Sequence, residues 1–147
     1  TWTVLYHLFP QADIPVVQLS VNPLLTPAEN YAIGKALSSL REQDVLIIGS
    51  GGTVHNLGRI YWGHTEPVEW AVKFEDWLAE MVKAWDLDAL FDYLHRAPHA
   101  RDAVPRNEHF IPLLYAMGAA DDARQAKLLY SEFQFGSLSL RAWQFGS

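Results

Sequence analysis

Asp44-Val-Leu-Ile-Ile-Gly-Ser-Gly-Gly-Thr-Val-His-Asn56 is the stretch on which the fold turns. Residues 44–49 are a short apolar run bounded by turn formers, the pattern of a strand buried on both faces. Ile14-Pro-Val-Val-Gln-Leu-Ser-Val21 has the same character. Between them, Thr26-Pro27-Ala28-Glu29 marks a helix start: Thr caps, Pro takes the first helical position, and Glu29 reaches back to close a capping box. That helix is expected to run to about Arg41, with Tyr31, Ile33, Ala36, Leu37 and Leu40 on its apolar side. Strand, helix, strand predicts a parallel βαβ unit with a right-handed crossover. The expected class is therefore α/β, a three-layer arrangement with helices around a central mixed, partly parallel sheet. The turn 50–56 then falls at the carboxyl end of a strand, where open α/β sheets place ligands.

Outward from this unit, Trp2 to Phe9 reads as a helix end closed by Pro10. Trp70, Phe74, Trp77, Leu78, Met81 and Val82 recur at helical spacing, which favours core or interface packing over an aromatic substrate box. Glu75, Asp76, Glu80, Asp86 and Asp88 read as a solvated helix face. A further helix is expected over 87–95, a loop over 97–107, and a short helix over 108–117 with Ile111, Leu114 and Tyr115 on its apolar face. Segments 127–133 and 137–144 read as two closing strands, with Gly136 between them. With 147 residues and no linker or repeat, residues 1–147 are read as a single domain.

Half of the residues are hydrophobic and 13% are aromatic, which is a globular rather than a disordered composition. A net charge of −6 and scattered Lys and Arg argue against a nucleic-acid or anionic-membrane surface. The absence of cysteine removes disulfides, thiolate zinc sites and cysteine nucleophiles; any metal must sit on His, Asp, Glu or carbonyl oxygen. No apolar run approaches the roughly 20 residues of a membrane span, and no signal peptide opens the chain, so a cytoplasmic protein is expected. The chain begins at Thr1 inside an apolar helical pattern, which reads as an N-terminally incomplete domain.

His55 is the first candidate for chemistry. It follows Gly49, Gly51 and Gly52, which let backbone wrap closely around a bound group, and neutral imidazole is a common ligand for borderline metals. The competing reading is a histidine that only satisfies a loop carbonyl. A Walker loop would end in Gly-Lys-Ser/Thr, whereas this one ends Val-His-Asn, and Gly-Ser-Gly-Gly is not a serine-nucleophile elbow. His109, beside Glu108 at the start of a short helix, is the second candidate, with a solvent-facing helix residue as its alternative. His64, His95 and His99 read as surface residues, and His7 is ambiguous. No compact metal-ligand string is present, so a metal site must gather ligands from distant segments.

Four segments in order carry a resemblance: Asp13-Ile-Pro-Val-Val-Gln-Leu-Ser20, Gly49-Ser-Gly-Gly-Thr-Val-His-Asn-Leu57, Glu108-His-Phe-Ile-Pro-Leu-Leu-Tyr115 and Gly136-Ser-Leu-Ser-Leu140. Together they resemble the class III extradiol ring-cleavage dioxygenases, in the 4,5-DOPA-dioxygenase-like branch related to the β subunit of protocatechuate 4,5-dioxygenase. The resemblance covers the chain end to end and corresponds to the C-terminal half of that catalytic domain.

It implies an oxidoreductase with a mononuclear non-haem Fe(II) site, which zinc could occupy as a substitute, taking a catechol and both atoms of O2. His55 matches the family's metal-binding histidine, and His109 matches a histidine that approaches the metal. Asn56 and Gln18 lie in matching motifs without an assigned role. The family's other ligands and its acid/base histidine would fall upstream of Thr1, in a missing N-terminal segment or a companion chain. This chain alone is then expected to be inactive. Two alternatives stay open, a non-catalytic binding or scaffold protein on the same frame and a zinc-dependent hydrolase using the same His site. The tryptophan-rich helix could also serve an interface in a homo-oligomer.

Overall fold

The computed structural model describes residues 2–146, with the side chain of Trp2 excepted. Helix α1 (Trp2–Leu8) is followed by an extended stretch and then α2 (Pro27–Ala36). The capping box forms as expected: Thr26 Oγ1 accepts from the Glu29 N–H at 3.2 Å, and Glu29 Oε2 accepts from the Thr26 N–H at 2.7 Å. The helix ends sooner than the pattern implies, and Ser38–Gln43 continues it as a tighter 3-10 turn.

Helix α3 (Glu69–Ala84) is the long central element, buried along Trp70, Ala71, Phe74, Glu75, Leu78, Ala79 and Val82. The expected helix over 87–95 is two short ones, α4 (Leu87–Phe91) and α5 (Tyr93–Arg96), and the expected loop after it contains α6 (Ala100–Ala103). A 3-10 turn, Asn107–His109, leads into α7 (Ile111–Ala119). The two closing strands are four shorter ones: β1 (Ala126–Tyr130) pairs antiparallel with β4 (Ala142–Phe145), and β2 (Phe133–Gln134) with β3 (Leu138–Ser139). Phe135 and Gly136, in the three-residue connection between β2 and β3, both take positive φ, 51° and 72°.

The chain is thus mixed α/β, with helices around small antiparallel sheets. The expected parallel unit is corrected: among the described residues, 14–21 and 44–49 form no strand. A strand needs a neighbour to satisfy its N–H and C=O groups, and among the described residues neither segment is paired in a sheet. Their apolar side chains face outward instead, with Val17 94% and Leu46 68% exposed.

The core lies between α3, α7 and the short helices, around Phe74, Leu78, Val82, Leu90, Phe110, Leu114 and Met117. Trp70 and Trp85 belong to it and Trp77 packs on its edge, so the tryptophan spacing marks packing. Helices α2 and α7 cross at two glycines. A Cβ on Gly34 would collide with the carbonyl of Tyr115, and one on Gly118 with the carbonyl of Tyr31. Two more bonds clamp this crossing: Tyr31 donates to Asp121 at 2.7 Å, and Trp85 Nε1 donates to Tyr31 Oη at 2.9 Å. No helix among the described residues is long and apolar enough to cross a membrane.

Candidate functional site

The fold brings His55 and His109 together. Their rings stack with centroids 3.7 Å apart and planes 21° from parallel. His55 is half-buried and His109 exposed, so the pair lies at the surface with one ring sheltered. The glycines ahead of His55 account for the approach. A Cβ on Gly51 would run into the His109 carbonyl and sit 3.1 Å from Pro112 Cγ, and one on Gly49 would meet the Pro112 carbonyl. Only residues without a side chain let this loop lie flat on the lead-in to α7.

Four residues of the loop, Gly52, Val54, His55 and Asn56, are fastened to other parts of the fold. The Gly52 N–H donates to His109 O at 3.0 Å, and the His55 N–H to Ala103 O at 3.1 Å. The Val54 carbonyl accepts from the Ser139 N–H at 3.2 Å, and the Val54 side chain is fully buried. Asn56 Nδ2 donates to Asp102 O at 2.8 Å, while its Oδ1 accepts from the Gly58 N–H at 3.0 Å. Asn56 therefore caps the 3-10 turn Leu57–Arg59 and ties it to α6. The same turn is held from outside by Arg59, 2.6 Å from Asp102 and stacked over Trp70.

Burial lowers the His55 pKa below the ordinary histidine value, and the adjacent His109 lowers it further, against a smaller opposing pull from Glu108. A neutral imidazole keeps a nitrogen lone pair free, the state a metal ligand requires. The two imidazoles are nitrogen donors of the type that borderline divalent metals take. Among the described residues, no group of three or more His, Cys, Asp or Glu side chains is placed to hold a metal ion.

The other histidines stay apart from this pair. His64, His95 and His99 are on the surface, with His95 Nδ1 2.6 Å from Asp92 and His99 Nδ1 3.7 Å from Asp102; His7 is exposed on α1. Gln18 is exposed on the extended stretch. Glu75 overturns its expected place on a solvated face. It is fully buried, bonded to the Thr53 hydroxyl, with Arg141 Nε 3.2 Å from its second carboxylate oxygen. A signal for this was present, since Glu75 falls on the stripe Ala71, Glu75, Leu78, Val82.

The geometry by itself defines a stacked pair of histidines from distant segments on a glycine-rich turn of a mixed α/β chain. Comparison with known proteins is more specific. The family described as the catalytic LigB subunit of aromatic ring-opening dioxygenase matches residues 1–141, and this chain belongs to it. A 4,5-DOPA dioxygenase extradiol from Portulaca grandiflora is 36% identical over 100% of this chain and 55% of its own length. The protein of the same name from Escherichia coli K12 is 33% identical over 99% of this chain and 55% of its own. The crystal structure of an uncharacterized Escherichia coli K12 protein superposes with a TM-score of 0.88 at 33% identity, covering 99% of this chain and 61% of that one. The chain thus spans about half the length of the relatives it matches.

Proposed function

We propose that this chain forms part of an extradiol ring-cleavage dioxygenase acting on a catechol, with His55 and His109 as two protein ligands of a mononuclear Fe(II) ion. The observation that carries the reading is the meeting of these two imidazoles on segments that match the family. Bound there, Fe(II) supplies one centre at which a catechol and O2 are held together, removing most of the entropic cost of a three-body encounter. His55 offers a neutral nitrogen from a loop pinned at consecutive residues, which limits reorganisation when ligands arrive. His109 provides the exposed half of the pair, on the side open to solvent and substrate.

The remaining metal donors and an acid/base histidine toward the catechol hydroxyls are assigned to further polypeptide, in this chain or a companion. It corresponds to the part of the relatives that this chain does not span. The exposed apolar side chains of 14–21 and 44–49 support the same assignment. Packing of that polypeptide against both segments would bury Val17 and Leu46.

The test is the metal content and turnover of the intact protein and of its His55→Ala and His109→Ala variants, loaded anaerobically with Fe(II). Addition of a catechol and air to the wild type should give a coloured ring-fission product, and each variant should lose stoichiometric iron and product together. Normal iron content in His55→Ala would show the ligand assignment to be wrong. A wild type that takes up zinc yet opens no ring across a catechol panel would favour the hydrolase or scaffold reading.

A further inference from the structure

The Glu75 carboxylate is a conspicuous expense in the fold. It lies on the apolar stripe of α3, fully buried, and burial raises its pKa. Oε1 takes the Thr53 hydroxyl. Oε2 has no hydrogen-bond donor, because Arg141 Nε, 3.2 Å away, directs its N–H to Ser131 Oγ at 3.0 Å. Arg141 is itself 9% exposed and uses its other nitrogens on the Glu75 carbonyl and on Asp76. A leucine at this position would continue the stripe from Ala71 to Leu78 without desolvating two charges, and such replacements are often neutral or stabilising. Stability therefore does not account for the arrangement. Outside α3 and Arg141 the carboxylate meets two hydroxyls, that of Thr53, two residues before His55, and that of Ser139, which lies 3.4 Å from Thr53 Oγ1.

We propose that Glu75 and Thr53 are positioning residues for the His55 imidazole: the carboxylate, fixed by Arg141 on the rigid central helix, tethers the loop and sets the ring against His109. The inference rests on the proposed metal-site reading. The ties from Gly52, His55 and Val54 to His109, Ala103 and Ser139 are backbone bonds that fix the loop's path, and Asn56 holds its far end to α6. The Thr53–Glu75 bond is the side-chain tie between the loop and the central helix, and it makes the hydroxyl of residue 53 necessary. Outer partners of this kind set the orientation of a ligating histidine, and their loss lowers metal affinity about ten- to a hundredfold.

The experiment is a Co(II) titration of the intact protein, followed by visible absorption, for wild type and the Thr53→Val, Thr53→Ser and Ser139→Ala variants. Urea midpoints are measured in parallel. Thr53→Val keeps the shape and loses the donor, so its Co(II) affinity should fall about ten- to a hundredfold with an altered absorption band. Thr53→Ser restores the hydroxyl and should return both to near wild type. Ser139→Ala removes the neighbouring hydroxyl, 3.4 Å from Thr53 Oγ1, but leaves the Thr53–Glu75 bond, and should lower Co(II) affinity less than Thr53→Val does. A Thr53→Val protein that is less stable but binds Co(II) with wild-type affinity and spectrum would reduce the bond to a structural one and overturn the tether. So would a Ser139→Ala variant that reproduces the loss. A wild type that takes up no Co(II) refutes the metal site itself, and the tether with it.

Discussion

Gly118→Ala puts the α2–α7 crossing to a test of sign. In an ordinary helix this change is stabilising, because alanine outranks glycine in helix propensity by up to about 1 kcal/mol. Here the new methyl would overlap the Tyr31 carbonyl and lie 2.8 Å from the Lys35 backbone nitrogen. Backbone cannot swing aside as a long side chain can, so α7 must move away from α2. Overpacking of this kind costs about 1–3 kcal/mol, enough to reverse the propensity gain. Separation also stretches the Tyr31–Asp121 bond that clamps the crossing. A net loss of about 1–2 kcal/mol is expected, a fall in melting temperature of roughly 2–8 °C in a domain of this size. Because the turn before α7 carries His109, metal affinity should fall as well. Thermal and urea unfolding of the intact protein, with a metal titration alongside, gives both readings. A variant that melts higher than wild type would mean that the helices are not in backbone contact at this point, and the argument would fail.

Two other changes follow from the buried charges. Arg141→Met leaves the Glu75 carboxylate in the core without its cation, and breaking a buried pair in this way typically costs about 3–5 kcal/mol; a urea midpoint within error of wild type would contradict the burial of that pair. Hydrogen bonds from Lys35 and Tyr31 hold the Asp121 pKa down to about 2. A carboxylate with a lowered folded pKa adds stability above its unfolded value of 3.8 and loses it as pH falls toward 2. Lys35 is mostly exposed, so screening limits the contribution to on the order of 1 kcal/mol. Wild type should therefore lose its advantage over Asp121→Asn between pH 5 and pH 2, as read from paired urea titrations. A constant difference across that range would count against the linkage.

What was legible in the sequence was local. Thr26 and Glu29 form their box because the partners are three residues apart, and α3 follows its stripe because helical spacing alone brings Phe74, Leu78 and Val82 to one side. The order of four motifs placed the chain in its family and singled out His55 and His109. That the expected parallel unit does not form was not legible, because a strand depends on a pairing that 14–21 and 44–49 do not make among the described residues. Glu75 was read as solvated because a carboxylate's cost in the core is offset only by a partner such as Arg141, far along the chain.

The sequence by itself determined where helices start, which spacing forms the core and which histidines to examine, since these depend on contacts within a few residues. The tertiary structure alone decided that His55 and His109 stack at 3.7 Å, and that a buried carboxylate reaches the loop between them and the core. Those outcomes depend on how closely separate segments approach, and here the absent side chains of Gly49 and Gly51 set that distance.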